Sequence, residues 1–345
     1  MLYNRLGKSG LHVSKVCLGT MAFGGLCDEK ESFYLMDMAL DNGINFFDSA
    51  NGYGMLRPKG ERTETRGHRG YSEEIVGKWF AQGGGRREKV VMCTKFNAPD
   101  GELAGANNVG GLSAWKIRRS LDDSLARLQT DHVEIYMMHR PDRKTTWSEL
   151  WNAFTVAQYQ GKIDYVASSA HAAHEIVEAG YEAKMRGLFG LIADEHRYNL
   201  VCRIPELEVI PALEKMGMAM LPYSPLGGGH LAGFALDNPG PRTSGRKLDD
   251  YQVKQLQDFK ALSQEIGISE AQIAMAWLLK QPIVGSFLTG PRTPEMLQAA
   301  IDCVEVLDKL NDEVMARLDE IFPGPGQQSY FFPGPGKTAA DAYNW

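Results

Sequence analysis

Residues 43–54 read Gly43-Ile44-Asn45-Phe46-Phe47-Asp48-Ser49-Ala50-Asn51-Gly52-Tyr53-Gly54. The first half has the apolar character of a buried strand, and that strand ends on the acid Asp48. A loop rich in Asn and Gly follows, and it carries Tyr53 five residues beyond the acid. Barrel and open α/β enzymes place their chemistry at the carboxyl ends of core strands. A buried acid needs a cationic partner, so the segment predicts a functional site that also contains a cation.

Two later apolar segments end on charged or titratable side chains in the same way. Residues 90–95 end on Lys95, and residues 133–139 end on His139. If these strands lie side by side in one barrel, Asp48, Lys95, His139 and the loop residue Tyr53 meet at one face. We therefore predict that Asp48 pairs with Lys95. Each residue alone could be a loop aromatic, a strand-end cap or a core histidine, and it is their joint occurrence at three strand ends that favours a site.

Strand and helix patterns alternate about eight times along the chain, which favours a (β/α)₈ TIM barrel in the α/β class. No GxGxxG motif follows the first strand, and this argues against a Rossmann fold. We expect a β-hairpin plug at residues 3–13, extra helices, and one barrel domain over residues 1–322. An extended tail over residues 323–345 is expected to pack on the barrel. Ser72 is predicted to cap a helix that carries Glu73 and Glu74 in its first turn.

The composition limits the classes of function. The 345 residues carry a net charge of −6 with a pI near 5.8, so we expect no nucleic-acid partner. The five cysteines are scattered without a CxxC motif, which is typical of a reducing compartment. No signal-peptide core or membrane-length apolar segment is seen. We expect a cytoplasmic protein and leave its oligomeric state open, with a homo-oligomer as one option.

The four strand-end groups suit carbonyl reduction. The phenol of Tyr53 would ordinarily titrate near pH 10, too high for easy proton transfer near neutrality. We expect Lys95 to lower that pKa, Asp48 to hold Lys95, and His139 to orient the carbonyl oxygen. Because protein side chains do not supply hydride, the hydride would come from a cofactor.

Several motifs in chain order resemble the aldo-keto reductase superfamily. They are residues 43–50 with Tyr53-Gly54, residues 72–77 (Ser-Glu-Glu-Ile-Val-Gly), Thr94-Lys95, Ile135-Tyr136 with His139 and Asp142, Gly161-Lys162-Ile163, Tyr198-Asn199-Leu200, and Tyr223-Ser224-Pro225-Leu226. The resemblance implies a (β/α)₈ barrel that binds NADPH without a Rossmann fold. It also implies a catalytic tetrad of Asp48, Tyr53, Lys95 and His139, with Tyr53 as the general acid.

The resemblance further implies a set of cofactor contacts. They are Thr20, Ser169, Glu195, Tyr223, Ser224, Pro225, Leu226, Gly290 and Arg292. In that set Tyr223 would stack on the nicotinamide, and Arg292 is the candidate for the 2′-phosphate of NADPH. NADH is kept as an alternative cofactor.

This chain departs from the family at the cofactor. Ala170 stands where the family usually has an Asn that binds the nicotinamide carboxamide, and Glu195 stands where it usually has a Gln. A carboxylate accepts from the amide NH₂ but does not donate to its carbonyl. Near the adenine, Met296, Ala299 and Ala300 replace a usual Arg and Glu-Asn pair. The sequence therefore leaves the choice between NADPH and NADH open.

The tail resembles a narrower bacterial subgroup. The motif Phe-Pro-Gly-Pro-Gly occurs at residues 322–326 and again at 332–336, and the chain ends Tyr343-Asn344-Trp345. Some members of that subgroup reduce NDP-hexose intermediates in deoxysugar biosynthesis, so a keto sugar or sugar nucleotide is the expected substrate. Residues 55–70 form a basic insertion that could face this substrate or be an ordinary solvated loop.

Parts of the sequence are also compatible with two other functions. His171, His174, Asp194, Glu195 and His196 invite a metal site, but they match no known ligand spacing, and we predict none. The chain could instead be a cofactor-binding regulatory or interaction subunit of the same fold with little turnover. The complete tetrad argues against that alternative, whereas Ala170 and Glu195 favour it mildly.

Overall fold

The structure is a computed structural model that describes residues 1–55, 67–98, 107, 110–233, 236 and 248–325. The chain begins with an antiparallel hairpin formed by β1 (Tyr3–Arg5) and β2 (His12–Ser14). The predicted hairpin is therefore present. Most of the basic insertion, much of the loop over residues 227–245 and most of the predicted tail lie outside the described residues.

Eight parallel strands form a nearly closed barrel, and the predicted fold class is confirmed. The strands are β3 (Val16–Gly19), β4 (Phe46–Asp48), β5 (Val91–Phe96), β6 (Val133–Met138), β7 (Ile163–Ser169), β8 (Leu191–Arg197), β9 (Ala219–Tyr223) and β10 (Phe287–Thr289). They follow chain order around the barrel, with β10 hydrogen-bonded to β3. Between β9 and β10, Met220 N–H donates to the Ile283 carbonyl at 2.9 Å, and Gly285 N–H donates to the Met220 carbonyl at 3.0 Å.

Helices separate the strands. Those in the described residues are α1 (Glu29–Asp41), α2 (Tyr71–Ala81), α3 (Ala114–Leu128), α4 (Trp147–Tyr159), α5 (Ala173–Met185), α6 (Val209–Met216), α7 (Asp250–Ile266), α8 (Glu270–Lys280), α9 (Pro294–Asp302) and α10 (Asp312–Ile321). α7 and α8 both connect β9 to β10, and α10 follows α9, so the expected extra helices are present. None of the described helices is long and apolar enough to cross a membrane.

The start of α2 differs from the prediction. The residue that caps the helix is Gly70, whose backbone is left-handed with φ 81°, and the helix begins at Tyr71. Ser72 lies inside the first turn, where its hydroxyl lies 2.7 Å from Thr20 Oγ1 and 2.9 Å from the Thr20 carbonyl. The Ser72 hydroxyl therefore ties α2 to the end of β3 and does not cap the helix.

The interior of the barrel is divided into an apolar floor and a polar mouth. Successive residues of a strand alternate between inside and outside, so Phe46 and Asp48 share the inner face of β4, as Cys93 and Lys95 do on β5. At the floor, Leu6 of the hairpin is fully buried in the same cluster as Phe46 and Cys93. The carboxyl ends of the strands therefore place Asp48 and Lys95 above a sealed apolar base.

Candidate active site

The centre of the mouth is a buried ion pair between β4 and β5. Lys95 Nζ donates to Asp48 Oδ1, and the two side chains are 0% and 2% exposed. The predicted pair is therefore present. Although burial opposes its charge, the carboxylates of Asp48 and Glu195 hold the pKa of Lys95 well above its usual range. Burial raises the pKa of Asp48, and the adjacent Lys95 opposes that rise.

Glu195 on β8 also binds Lys95. Its Oε2 lies 3.1 Å from Lys95 Nζ, and the Glu195 side chain is only 5% exposed. Apart from this ion pair, Glu195 Oε2 has no hydrogen-bond partner among the described residues. Burial raises the pKa of Glu195 to about 7, with Lys95 opposing the rise and Asp48 adding to it. Sequence reasoning placed Glu195 at the cofactor and missed this contact, although its position two residues beyond inward-facing Ala193 was a usable signal.

Tyr53 lies over Lys95 in the loop after β4. Lys95 Nζ is 5.1 Å from the centroid of the Tyr53 ring, which is partly exposed. Burial raises the pKa of the Tyr53 hydroxyl, and the lowering by Lys95 is smaller; Glu195 and Asp48 raise it further. The expectation that Lys95 brings the pKa of Tyr53 below its ordinary value is therefore wrong in this structure. Desolvation exceeds the effect of one ammonium that is shared with two carboxylates.

His139 follows β6 and faces Tyr53. The two rings meet edge to face, with centroids 5.6 Å apart and planes at 85°. The backbone N–H of His139 donates to the Phe96 carbonyl at 3.0 Å, which fixes the residue beside β5. Burial lowers the pKa of His139 to about 3, helped by Lys95 and Arg140, so the imidazole is neutral near pH 7. A neutral ring donates one hydrogen bond and accepts one.

The predicted nicotinamide contacts lie on the next strand ends. Ser169 Oγ donates to the Glu195 carbonyl at 3.1 Å, and the Tyr223 ring is partly exposed at the end of β9. Ser224, Pro225 and Leu226 follow in the turn after β9, where the Ser224 carbonyl accepts from Asn199 Nδ2 at 2.9 Å. Thr20 is fully buried, and its hydroxyl lies 3.1 Å from the Asp48 carbonyl. Contacts of these residues with a cofactor stay a prediction.

Two residues that follow strand ends at the mouth have left-handed backbones without being glycine. They are Ala170 after β7, with φ 57°, and Ser224 after β9, with φ 55°. Ala170 N–H donates to the Glu195 carbonyl at 2.9 Å, which holds the turn in place. A left-handed alanine costs about 1 to 2 kcal/mol, less for Asn, so the Asn usual in similar sequences suits this backbone better.

The region around β10 and α9 fits an anionic dinucleotide. Gly290 is exposed, and an added Cβ there would meet nothing within 4 Å. Among the described residues, no hydrogen bond or ion pair holds the Arg292 side chain. Arg292 stands directly before Thr293, which caps α9, so a guanidinium and a positive helix end lie together. Met296 is 41% exposed and adds no charge.

Two arginines at the mouth were not predicted. Arg140 follows His139 after β6, and Arg197 ends β8. Both are near enough to Tyr223 to oppose the rise in its pKa that burial causes. In the described part of the chain, neither guanidinium has an ion pair. Their positions in the sequence could have indicated this, since Arg140 lies just after the end of β6 and Arg197 is the last residue of β8, and both strands end at the same face of the barrel.

A second polar network lies behind β7 and β8. Asp194 accepts from Ser168 Oγ at 2.6 Å, and its other oxygen lies 2.7 Å from His196 Nδ1. His171 Nδ1 is 3.8 Å from Asp194 and 3.0 Å from the Ser169 carbonyl. These four side chains are buried, and their mutual bonds fix the two strand ends that carry Ser169 and Glu195. No group of three or more His, Cys, Asp or Glu side chains that could hold a metal ion occurs among the described residues.

Comparisons with known proteins agree with this geometry. The model of the aldo/keto reductase family matches residues 15–322. The chain belongs to the aldo/keto reductase family. It is 46% identical over 332 residues to an uncharacterized oxidoreductase, YrpG, of Bacillus subtilis, covering 95% of this chain and 98% of that one.

Two further relatives of this aldo/keto reductase have other names. One is a probable voltage-gated potassium channel subunit beta of Oryza sativa, 32% identical over 93% of this chain and 96% of the relative. The other is the protein tas of Escherichia coli, 31% identical over 97% of this chain and 100% of the relative. Membership places the chain in a family of oxidoreductases that act on small molecules.

Proposed function

We propose that this chain is an NADPH-dependent carbonyl reductase that converts an aldehyde or ketone to an alcohol. The observation that carries the proposal is the arrangement of Tyr53 over Lys95, with Lys95 bound to Asp48 and the His139 ring edge-on to Tyr53. The nicotinamide cofactor, when bound, supplies the hydride. Arg292, Gly290 and Tyr223 are the residues that would hold it, and NADH is the alternative.

Tyr53 serves as the proton donor in this proposal. Because its pKa lies above the ordinary value, the phenol keeps its proton at neutral pH and is in the form that a reduction needs. As negative charge develops on the carbonyl oxygen, the Tyr53 hydroxyl donates the proton, and the Lys95 ammonium stabilises the phenolate that forms. Neutral His139 donates a hydrogen bond to the same oxygen and fixes its direction.

Replacing Tyr53 with Phe tests the role of the phenol. We expect Tyr53→Phe to lose at least 100-fold in kcat, because a positioned general acid contributes roughly 10²- to 10⁴-fold. NADPH affinity, measured by fluorescence titration, should stay within about two-fold, since no charge at the cofactor changes. Tyr165→Phe is the matched control, because Tyr165 lies toward the amino end of β7, next to Phe189. Retention of wild-type turnover by Tyr53→Phe would contradict the assignment.

A keto sugar or sugar nucleotide is the substrate that we propose. The arginines Arg140 and Arg197 support a substrate that carries phosphate, because guanidinium groups bind phosphate oxygens well. The tail motif that resembles the NDP-hexose reductases points to the same class. The substrate would lie with its carbonyl at Tyr53 and its negative charge toward these arginines.

Replacing Arg140 with Gln tests the charge of the substrate. With glyceraldehyde phosphate, we expect kcat/KM to fall about five- to ten-fold, and with uncharged glyceraldehyde to change less than two-fold. Arg186→Gln serves as the control, since Arg186 lies past the carboxyl end of α5, away from the mouth. Equal losses on both substrates would show that Arg140 does not recognise charge.

A second candidate function is a cofactor-binding regulatory or interaction subunit. Ala170, Glu195 and the relative named as a channel subunit beta favour it. The two functions give different results in one experiment. Tight NADPH binding without reduction of any substrate in a broad carbonyl panel would favour the subunit, and reduction that depends on Tyr53 would favour the enzyme.

A further inference from the structure

Glu195 lies outside the proposed tetrad but contacts one of its members, Lys95. Its carboxylate and that of Asp48 are both inward-facing side chains at strand ends, on β8 and β4, and both contact the single ammonium of Lys95. Asp48 is 1% and Glu195 4% exposed, so solvent does not screen either contact. One buried positive charge is therefore shared between two buried acids.

We propose that Glu195 is a positioning residue that controls the proton affinity of Tyr53 by competing with the phenol for Lys95. With Glu195 neutral, Lys95 has one counter-ion, Asp48, and its remaining charge acts on Tyr53. With Glu195 ionised, Lys95 has two counter-ions, and the phenol holds its proton more tightly. The inference rests on the proposed carbonyl reduction for its consequence in catalysis, but the proton affinity of Tyr53 is measurable without turnover.

The charged and titratable groups around Glu195 are consistent with this role. From β4 and β5 the neighbours are Asp48, Lys95 and Cys93, from β3 it is Cys17, from the loop after β4 it is Tyr53, and from β9 it is Tyr223. Of these, only Lys95 is a cation. Asp194, on the same strand, is bonded to Ser168 and His196. Arg197, two residues farther along β8, and Arg140 after β6 are the other cations near Tyr223, and neither forms an ion pair with Glu195 among the described residues. Lys95 is thus the cation in contact with an ionised Glu195.

Because Glu195 is desolvated, its carboxyl is expected to titrate near neutral pH. Burial raises its pKa to about 7, so the carboxyl changes charge near neutral pH. The proton comes from solvent and returns to it. The rate of proton donation by Tyr53 should therefore fall as pH rises through this range, since a phenol of higher pKa is a weaker acid.

The experiment compares wild type, Glu195→Gln, Glu195→Asp and the control Glu175→Gln. Glu175 is also a buried glutamate, 5% exposed, but its ion pair is with Arg143 on the loop after β6. Three quantities are measured as a function of pH. They are the carbon-13 NMR signals of the glutamate and aspartate side-chain carboxyls, phenolate formation by ultraviolet difference spectroscopy with Tyr53→Phe subtracted, and kcat/KM for para-nitrobenzaldehyde.

We expect one carboxyl signal to titrate near neutral pH in wild type and in Glu175→Gln, and to be missing in Glu195→Gln. In Glu195→Gln, the phenolate should form at a pH lower by about one unit, and the rate should not fall through neutrality. Wild type should lose at most about ten-fold in kcat/KM through that titration and then level off, because a change of about one pH unit in the proton affinity of the phenol changes the rate of proton donation by no more than that factor. Glu195→Asp, which keeps the charge, should keep the wild-type pH dependence.

The inference is overturned if Glu195→Gln keeps the wild-type titration of Tyr53. It is also overturned if no carboxyl signal that depends on Glu195 titrates between about pH 6 and 8, the range set by burial. If wild type reduces no carbonyl at any pH, the proposed function fails, and the two spectroscopic titrations still decide the inference. If Glu195→Gln does not fold, Glu195→Asp and wild type decide it. In both proteins kcat/KM must fall over the pH range in which the carboxyl at position 195 titrates, and a fall that does not follow that carboxyl signal overturns the inference.

Discussion

At the scale of single residues, the site depends on how burial changes the charge of each group. Lys95 keeps its charge because two carboxylates surround it, whereas His139 loses its charge because Lys95 and Arg140 add to the effect of desolvation. In the proposed reaction, neutral His139 and protonated Tyr53 are the two side chains that would donate hydrogen bonds to the carbonyl oxygen. All of these side chains are desolvated, and the charge of the neighbouring groups decides whether each one is charged, like Lys95, or uncharged, like His139 and Tyr53.

The lowered pKa of His139 predicts a specific sensitivity to acid. The folded protein holds His139 neutral down to about pH 3, while the unfolded chain takes up a proton near pH 6.5. This residue therefore contributes stability above pH 6.5 that is lost as the pH falls toward 3. Between pH 7 and 4, wild type should lose more unfolding free energy in urea than His139→Gln does.

The control for this prediction is His174→Gln, because His174 is exposed in α5. Its acid sensitivity should equal that of wild type. If His139→Gln loses stability in acid as fast as wild type, then His139 is not held neutral in the folded protein.

The clustering of Asp48, Tyr53, Lys95 and His139 at one end of the barrel was predictable, because each is the last inward-facing residue of its strand or follows it closely. Asp48 and Lys95 pair as expected from the need of a buried acid for a cation. The direction of the pKa of Tyr53 was not predictable, because it depends on how deeply the ring is buried and on Glu195, a residue 142 positions away in sequence. Contacts across a barrel are set by its closure, which no local pattern contains.

At the scale of elements, α2 and α3 are joined by an unusually close approach. A Cβ on Gly77 would lie 2.1 Å from the Arg127 carbonyl oxygen, so only glycine fits there. Beside it, the buried carboxylate of Glu73 accepts from Arg127 Nε at 2.7 Å and from Thr94 Oγ1 at 2.5 Å. Since Thr94 precedes Lys95 on β5, the helix pair supports the strand that carries the ammonium.

Replacing Gly77 with Ala should therefore destabilise the protein. In an open helix this change would gain about 1 kcal/mol, but the clash with backbone should cost roughly 1 to 3 kcal/mol net, measured by urea unfolding. Gly180→Ala in α5 is the matched control, because a Cβ there meets the movable sulfur of Met216 at 2.4 Å. That variant should be within about 0.5 kcal/mol of wild type or more stable. A Gly77→Ala variant as stable as Gly180→Ala would contradict the close approach.

Helix and strand positions were predictable from periodicity, and the ends of the elements were less so. Ile117, Leu121, Leu125 and Leu128 recur at a spacing that indicates a helix, and α3 spans Ala114–Leu128. The cap at Ser72 was wrong, because the left-handed Gly70 starts the helix and the Ser72 hydroxyl bonds to Thr20. A serine before two acids is a capping pattern only where its hydroxyl has no tertiary partner.

At the scale of the whole molecule, the barrel has one polar end and one sealed end. The hairpin closes the floor through Leu6 and Val13, both fully buried, and the Lys8 N–H donates to the Gly217 carbonyl at 2.7 Å. Asp48, Tyr53, Lys95 and His139 lie at the opposite end, where the strands finish. Stability and chemistry are therefore separated along the barrel axis.

Shortening Leu6 to Ala tests this separation. The cavity at the floor should cost about 3 kcal/mol in unfolding free energy, whereas kcat at low temperature should remain near the wild-type value. Leu2→Ala, at a side chain that is 42% exposed, is the control and should cost little. A large loss of kcat in folded Leu6→Ala would show that floor and mouth are coupled.

The hairpin also determines which way the molecule would face on a solid support. Tyr3 Oη donates to the Gly43 carbonyl at 2.8 Å, and Met1 lies against Gly43, just before the amino end of β4. An anchor attached to Met1 would thus hold the protein by its closed base. Bead- or electrode-bound protein prepared in this way would present its mouth to the passing solution, with no linker crossing the path of the substrate.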